Sequence, residues 1–267
     1  MNTFIRTYHR LTACLRPLPN FLVIGAQKAG TTSLFHYICQ HPDVFVNKSK
    51  EIHFFDRYCD FGTYWYRSHF PLLGNFLPNC RIGEATPYYF CHPHAPCCIF
   101  ELLPTAKLIV ILRDPVERAI SHYFHEVKKG REKLPILEAL QREEERCAAE
   151  WQNMVDDMSY TSRTHQSFSY KQRGIYIEQL RRYWRFFPQQ QVLVLESNSL
   201  FIEPHVVLQQ VFQFLEIDPD VMIRDVTVQN ANPKKKEVPS EVYTYLKQFF
   251  APHNAMLEDA LGRDFEW

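Results

Sequence analysis

Lys28, Glu51 and Arg113 are the side chains whose neighbours suit them to chemistry. Lys28 lies inside Gly25-Ala-Gln-Lys-Ala-Gly-Thr-Thr-Ser33. Gly25 and Gly30 bracket a loop free to turn sharply and bring main-chain N–H groups against a ligand. A helix opens directly after it at Thr31, and the donors and dipole of a helix start favour a phosphate-like anion. Lys28, Ala29, Gly30, Thr31, Thr32 and Ser33 therefore form a candidate anion cradle. The glycine spacing is that of a Walker A loop, G-x-x-x-x-G-K-[ST], but Thr31 stands where its lysine belongs. An ATPase or kinase would lack its phosphate-reaching group. A tight strand–helix turn that binds nothing is the lesser alternative.

Glu51 sits in Asn47-Lys-Ser-Lys-Glu-Ile-His-Phe-Phe-Asp56. A carboxylate beside two lysines ionises readily. The segment reads either as a polar loop ending in a core aromatic pair or as a general base held against an apolar floor. Arg113 follows the apolar run Lys107-Leu-Ile-Val-Ile-Leu112, a buried strand, and α/β sheets bind ligands at the carboxyl ends of their strands. Its guanidinium suits bidentate phosphate recognition, although an Arg-Asp pair at a helix start also serves structure alone. Cys91-His-Pro-His-Ala-Pro-Cys-Cys98 brings five potential metal ligands together. It has no C-x-x-C pair and no second cluster at zinc-finger spacing. Thiols packed on a helix from Cys97 to Leu103 are expected, and no metal.

The elements that must position these groups alternate in type. Phe21 to Ile24 is an apolar strand too short to be a helix, and the helix from Thr31, with Leu34 and Ile38 on one face, stops at His41-Pro42. Val44 to Val46, the stretch from Arg81, Lys107 to Leu112, and Val192 to Leu195 are further strands. Asp114 as cap, Pro115 at the first helical position and Glu117 completing a capping box begin a helix running to about Lys129. Aromatic-rich residues 62–71 form a short helix along the cleft, its rings stacking on a flat ligand or, as is commoner, packing into the core, and residues 170–187 and 203–215 are helical. Glu143-Glu-Glu145 lies in a helix and faces water. Lys128 to Lys133 is a basic run, solvated or overhanging the cleft. Residues 156–169, poor in aliphatics, read as a mobile loop over the acceptor site. The alternation gives an α/β, P-loop-like parallel sheet of about five strands with helices on both faces.

A chain of 267 residues fits one domain, residues 19–267, after a lead-in arm of residues 1–18. Hydrophobic residues at 46% and aromatics at 15% exclude a disordered chain. A formal net charge of zero argues against wholesale binding to nucleic acid or a membrane surface. No apolar run approaches the roughly 18 residues of a membrane span. The first residues lack a secretory core, and eight scattered cysteines read as reduced thiols in a cytoplasmic protein.

The arrangement Lys-x-Gly-Thr-Thr at Lys28 resembles the 5′-phosphosulfate loop of sulfotransferases that use 3′-phosphoadenosine 5′-phosphosulfate (PAPS). Lys50-Glu-Ile-His-Phe-Phe-Asp56 resembles the matching segment of the heparan sulfate sulfotransferase group and its bacterial relatives. So do Arg81-Ile-Gly-Glu-Ala-Thr-Pro-Tyr-Tyr-Phe90 and the terminal Leu261-Gly-Arg-Asp-Phe-Glu-Trp267, and the likeness runs from Pro19 to Trp267. The resemblance implies PAPS as sulfuryl donor, adenosine 3′,5′-bisphosphate (PAP) as product, a hydroxyl or amine as acceptor, and no metal. It places the catalytic base on Glu51, the essential loop lysine on Lys28 and a contribution to acceptor binding on His53. It assigns the donor's 3′-phosphate to Arg113 and Ser121. A basic loop over the nucleotide falls on Asn230-Ala-Asn-Pro-Lys-Lys-Lys236, through Lys234, Lys235 or Lys236, although the family's glycine and arginine are missing there. Ala85 replaces a lysine of the heparan-type members. That turns the expectation from a highly sulfated polymer toward a glycan, glycolipid or other small hydroxylated metabolite. A P-loop nucleotide kinase and a non-catalytic nucleotide-binding protein of the same fold are the rival readings.

Overall fold

Every residue of Phe21–Gly25 (β1) is buried in the computed structural model, so both faces of this strand are covered. The structure describes residues 8–46, 51–72, 80–229, 237–265 and 267. After β1 come Thr31–Ile38 (α1), Val44–Val46 (β2), Gly62–Arg67 (α2), Arg81–Ala85 (β3), Ala95–Leu102 (α3) and Lys107–Leu112 (β4). The chain continues through Pro115–Lys128 (α4), Ile136–Gln141 (α5), Glu143–Asp156 (α6), Arg163–Phe168 (α7) and Tyr176–Trp184 (α8). Val192–Glu196 (β5), Ser197–Ile202 (α9), Pro204–Leu215 (α10) and Ser240–Leu261 (α11) complete it.

The sheet has five parallel strands in the order β2-β3-β1-β4-β5. β1 therefore lies between β3 and β4, and the chain crosses from one side of it to the other after β3. Such a reversal opens a crevice at the carboxyl ends of the central strands. The helix boundaries follow local chemistry. Asp114 caps α4 by accepting the Val116 N–H at 2.8 Å, with Pro115 in the first turn. Glu117, expected to complete a capping box, lies 3.4 Å from the Arg113 guanidinium.

Two expectations change. Glu143 is buried rather than solvated: its carboxylate accepts the N–H groups of Lys171 at 2.6 Å and Gln172 at 2.8 Å, while Glu144 and Glu145 are exposed. Adjacent helix positions point about 100° apart, so a charge triplet at a helix start can turn one member inward. Residues 156–169, read as a mobile loop, contain α7, capped by the Ser162 hydroxyl on the His165 N–H at 2.9 Å. The aromatic helix α2 serves the core, since Tyr66 is buried and stacked on Phe54 at 4.3 Å. Ahead of β1, Ala13 and Arg16 are buried, and Arg16 donates to the Phe70 carbonyl.

Candidate active site at the carboxyl edge of the sheet

β1 must end in glycine because Phe90 crosses it. The Phe90 N–H bonds the Ile24 carbonyl at 2.9 Å, and a Cβ on Gly25 would stand 2.5 Å from that of Phe90. The chain then turns. The Ala26 N–H holds the Ile111 carbonyl of β4 at 2.8 Å, and Lys28 and Gly30 both adopt left-handed backbone, with φ of 69° and 101°. The first intrahelical bond of α1 runs from Leu34 to the Gly30 carbonyl at 3.0 Å, so the main-chain donors of Thr31, Thr32 and Ser33 precede the helical ladder. The Ser33 hydroxyl is buried and accepts the Gln229 N–H at 2.9 Å.

Cations gather here. Burial pulls the Lys28 pKa down, and the charges of Arg113, Lys129 and Lys128 pull it further, against one opposing carboxylate, Glu126. Arg113 leaves the end of β4, approaches the Lys28 carbonyl at 3.4 Å, and has its own carbonyl held by the Tyr176 hydroxyl at 2.8 Å. Ser121 lies on α4, and one turn later comes His125, which sequence reasoning passed over. Burial, then Lys28, Lys129, Arg131 and Lys128, force His125 down to about 4. A positive field of this kind is what an anionic ligand would relieve.

The second half of the site follows β2. His53, with φ of 58°, donates Nδ1–H to Asp56 at 2.8 Å and holds Glu51 through Nε2 at 3.2 Å. Burial alone would lower the His53 pKa, but the bonds to Asp56 and Glu51 outweigh it and lift it to about 9. His53 is thus an imidazolium at neutral pH and cannot itself act as a base. The Glu51 side chain is 44% exposed whereas that of Asp56 is 0% exposed, so only Glu51 of the two can meet a substrate. The sequence motif ends on Asp56 but gave it no role; the signal was its place three residues after His53. Beneath this segment the Thr86 hydroxyl, just past β3, accepts the Ile52 N–H at 3.2 Å. Lys28, Arg113 and Thr86 thus follow β1, β4 and β3, three neighbours in the sheet.

Lys234, Lys235 and Lys236 lie outside the described residues. The chain just before them is fastened along α1: Tyr37 donates to the Val226 carbonyl at 2.8 Å, His36 meets Asp225 at 2.9 Å, and Gln229 meets Ser33. The cysteine run is engaged internally, with the Cys91 thiol on the Tyr88 carbonyl at 3.3 Å, and burial pushes Cys98 up to about 12. Among the described residues no group of three or more His, Cys, Asp or Glu could hold a metal ion.

Residues 18–254 match the family described as the sulfotransferase domain. The chain belongs to that family. It is 29% identical to the membrane-associated sulfotransferase kil1 of Dictyostelium discoideum, across 94% of this chain and 66% of that protein. It is 30% identical to human heparan sulfate glucosamine 3-O-sulfotransferase 3B1, across 94% of this chain and 65% of that protein. The chain therefore spans a little under two-thirds of these relatives. A crystal structure of a sulfotransferase from Alicyclobacillus acidocaldarius superposes with a TM-score of 0.73 at 29% identity, covering 93% of this chain and 98% of that one. Among the described residues, no helix is long and apolar enough to cross a membrane.

Proposed function

We propose that this protein transfers a sulfuryl group from PAPS to an acceptor hydroxyl or amine and releases PAP. The observation that carries the reading is Lys28, held in left-handed backbone between β1 and α1 with Arg113, Lys128 and Lys129 crowding its charge. A cationic loop on a helix start is suited to the donor's phosphosulfate. Arg113 and Ser121 would take the 3′-phosphate, and one of Lys234, Lys235 or Lys236 would close over the nucleotide.

In the reaction the acceptor's oxygen or nitrogen attacks sulfur as its proton passes to Glu51. The S–O bond to the 5′-phosphate breaks, and its electron pair stays with PAP. Lys28 and the main-chain donors from Gly30 to Ser33 would neutralise the charge that develops there. His53, cationic and anchored by Asp56, holds the Glu51 carboxylate toward the acceptor. Positioning and electrostatics supply most of the rate, as in phosphoryl transfer.

A kinase is disfavoured by Thr31 in the lysine place of the Walker loop. The acceptor class rests on the zero formal net charge and on Ala85, which stands where the heparan-type members carry a lysine. A glycan, glycolipid or small hydroxylated metabolite fits this better than a highly sulfated polymer. The test is transfer of labelled sulfate from PAPS across a panel of such acceptors. Transfer by the wild type and its loss in Glu51→Gln supports the reading. Magnesium-dependent ATP turnover, or PAP binding with no transfer to any acceptor, would overturn it.

A further inference from the structure

Glu84 is a carboxylate at the end of β3 that is 1% exposed and belongs to none of the groups assigned above. Three hydroxyls converge on it. Tyr66 of α2 and Tyr89 donate to Oε1 at 2.6 Å and 3.1 Å, and Thr86 donates to Oε2 at 2.8 Å. Two of these hydroxyls also face the segment that carries Glu51 and His53. Tyr89 accepts the Phe54 N–H at 2.8 Å, and Thr86 accepts the Ile52 N–H at 3.2 Å.

The direction of these bonds matters. A hydroxyl has one proton, and a carboxylate only accepts. With the protons of Tyr89 and Thr86 committed to Glu84, their lone pairs turn toward the main chain. We propose that Glu84 is the positioning residue of the catalytic segment, fixing the backbone on either side of His53, and hence the Glu51 carboxylate, through two hydroxyls that donate to it and accept from the segment.

This rests on the assignment of Glu51 as base. Burial pushes the Glu84 pKa up to about 7, while the bonds from Tyr66, Thr86 and Tyr89 act to keep it charged. Tyr66 adds a second restraint, its ring lying flat on Phe54 while its hydroxyl holds the carboxylate. A glutamine at position 84 keeps the shape but carries two N–H donors at one end. At that end a hydroxyl already accepting from the backbone must leave its own proton unpaired or release the segment, and buried unpaired groups are costly.

Three measurements on Glu84→Gln, made above the Glu84 pKa of about 7, test the proposal: amide hydrogen exchange at Ile52 and Phe54, PAP affinity by calorimetry, and steady-state transfer from PAPS. The expected result is faster exchange at those two amides, unchanged PAP affinity, and kcat lowered about tenfold to a hundredfold at constant KM for PAPS. Thr86→Val, which removes the hydroxyl that accepts the Ile52 N–H at 3.2 Å and the His53 N–H at 3.5 Å, should show the same pattern at those two amides with Phe54 unchanged, and it carries the test if Glu84→Gln does not fold. Unchanged exchange, or loss of PAP affinity in step with kcat, would overturn the proposal. Exchange and PAP affinity need no acceptor, so a wild type that transfers nothing counts against the functional reading and leaves the exchange result standing.

Discussion

An imidazolium between two carboxylates is the feature on which the residue-scale chemistry turns. His53 bonds Asp56 and Glu51 and stays protonated to about pH 9. The shift has a definite sign. Folding raises this histidine from its ordinary 6.5, so its contribution to stability is complete below 6.5 and is lost as pH climbs through about 9. NMR of the His53 ring should show a midpoint near 9, falling in Asp56→Asn; an ordinary midpoint would contradict the pairing. Glu51→Gln should keep PAP affinity while lowering kcat by about a hundredfold to ten-thousandfold, the usual worth of a general base. Arg113→Ala should weaken PAP binding about tenfold to a hundredfold, the share of a charge-assisted bond to phosphate. Calorimetry decides it, and unchanged affinity removes Arg113 from the site.

At the scale of elements the junction of β1 and α1 is the critical one. Gly25 has no room for a methyl group against Phe90, whose N–H also ties the strand end to its neighbour. Gly25→Ala should therefore cost about 1–3 kcal/mol in urea unfolding and lower PAP affinity with it, because the displaced turn carries Lys28. This junction was legible in the sequence. Its glycines, its four-residue apolar run and the Asp-Pro start of α4 are local signals, and the strands β1 and β4 and the start of α4 appear where those signals place them. Glu143 was not legible, because its partners at 171 and 172 are distant in the chain and no helical period announces them. Ser162 and His165 likewise gave no sign that residues 156–169 would fold into a capped helix.

Across the whole molecule the candidate site residues follow three adjacent strand ends, and this sets the limit of sequence reading. Lys28, Arg113 and Glu51 could be singled out one at a time by their neighbours. That Thr86 would grip the backbone beside His53, or that Tyr66 and Tyr89 would share one buried carboxylate, depends on β3 lying next to β1. No spacing encodes that. The fold class was readable because alternation of strand and helix constrains the sheet, whereas the polar network beneath the segment is purely tertiary.

The most direct measurement is a crystal structure of the PAP complex. The expected density places the 5′-phosphate on Lys28 and the main-chain donors from Gly30 to Ser33, and the 3′-phosphate on Arg113 and Ser121, with the Glu51 carboxylate across the cleft. PAP bound away from the Lys28 loop, or Glu51 turned from the bound nucleotide, would contradict the assignment.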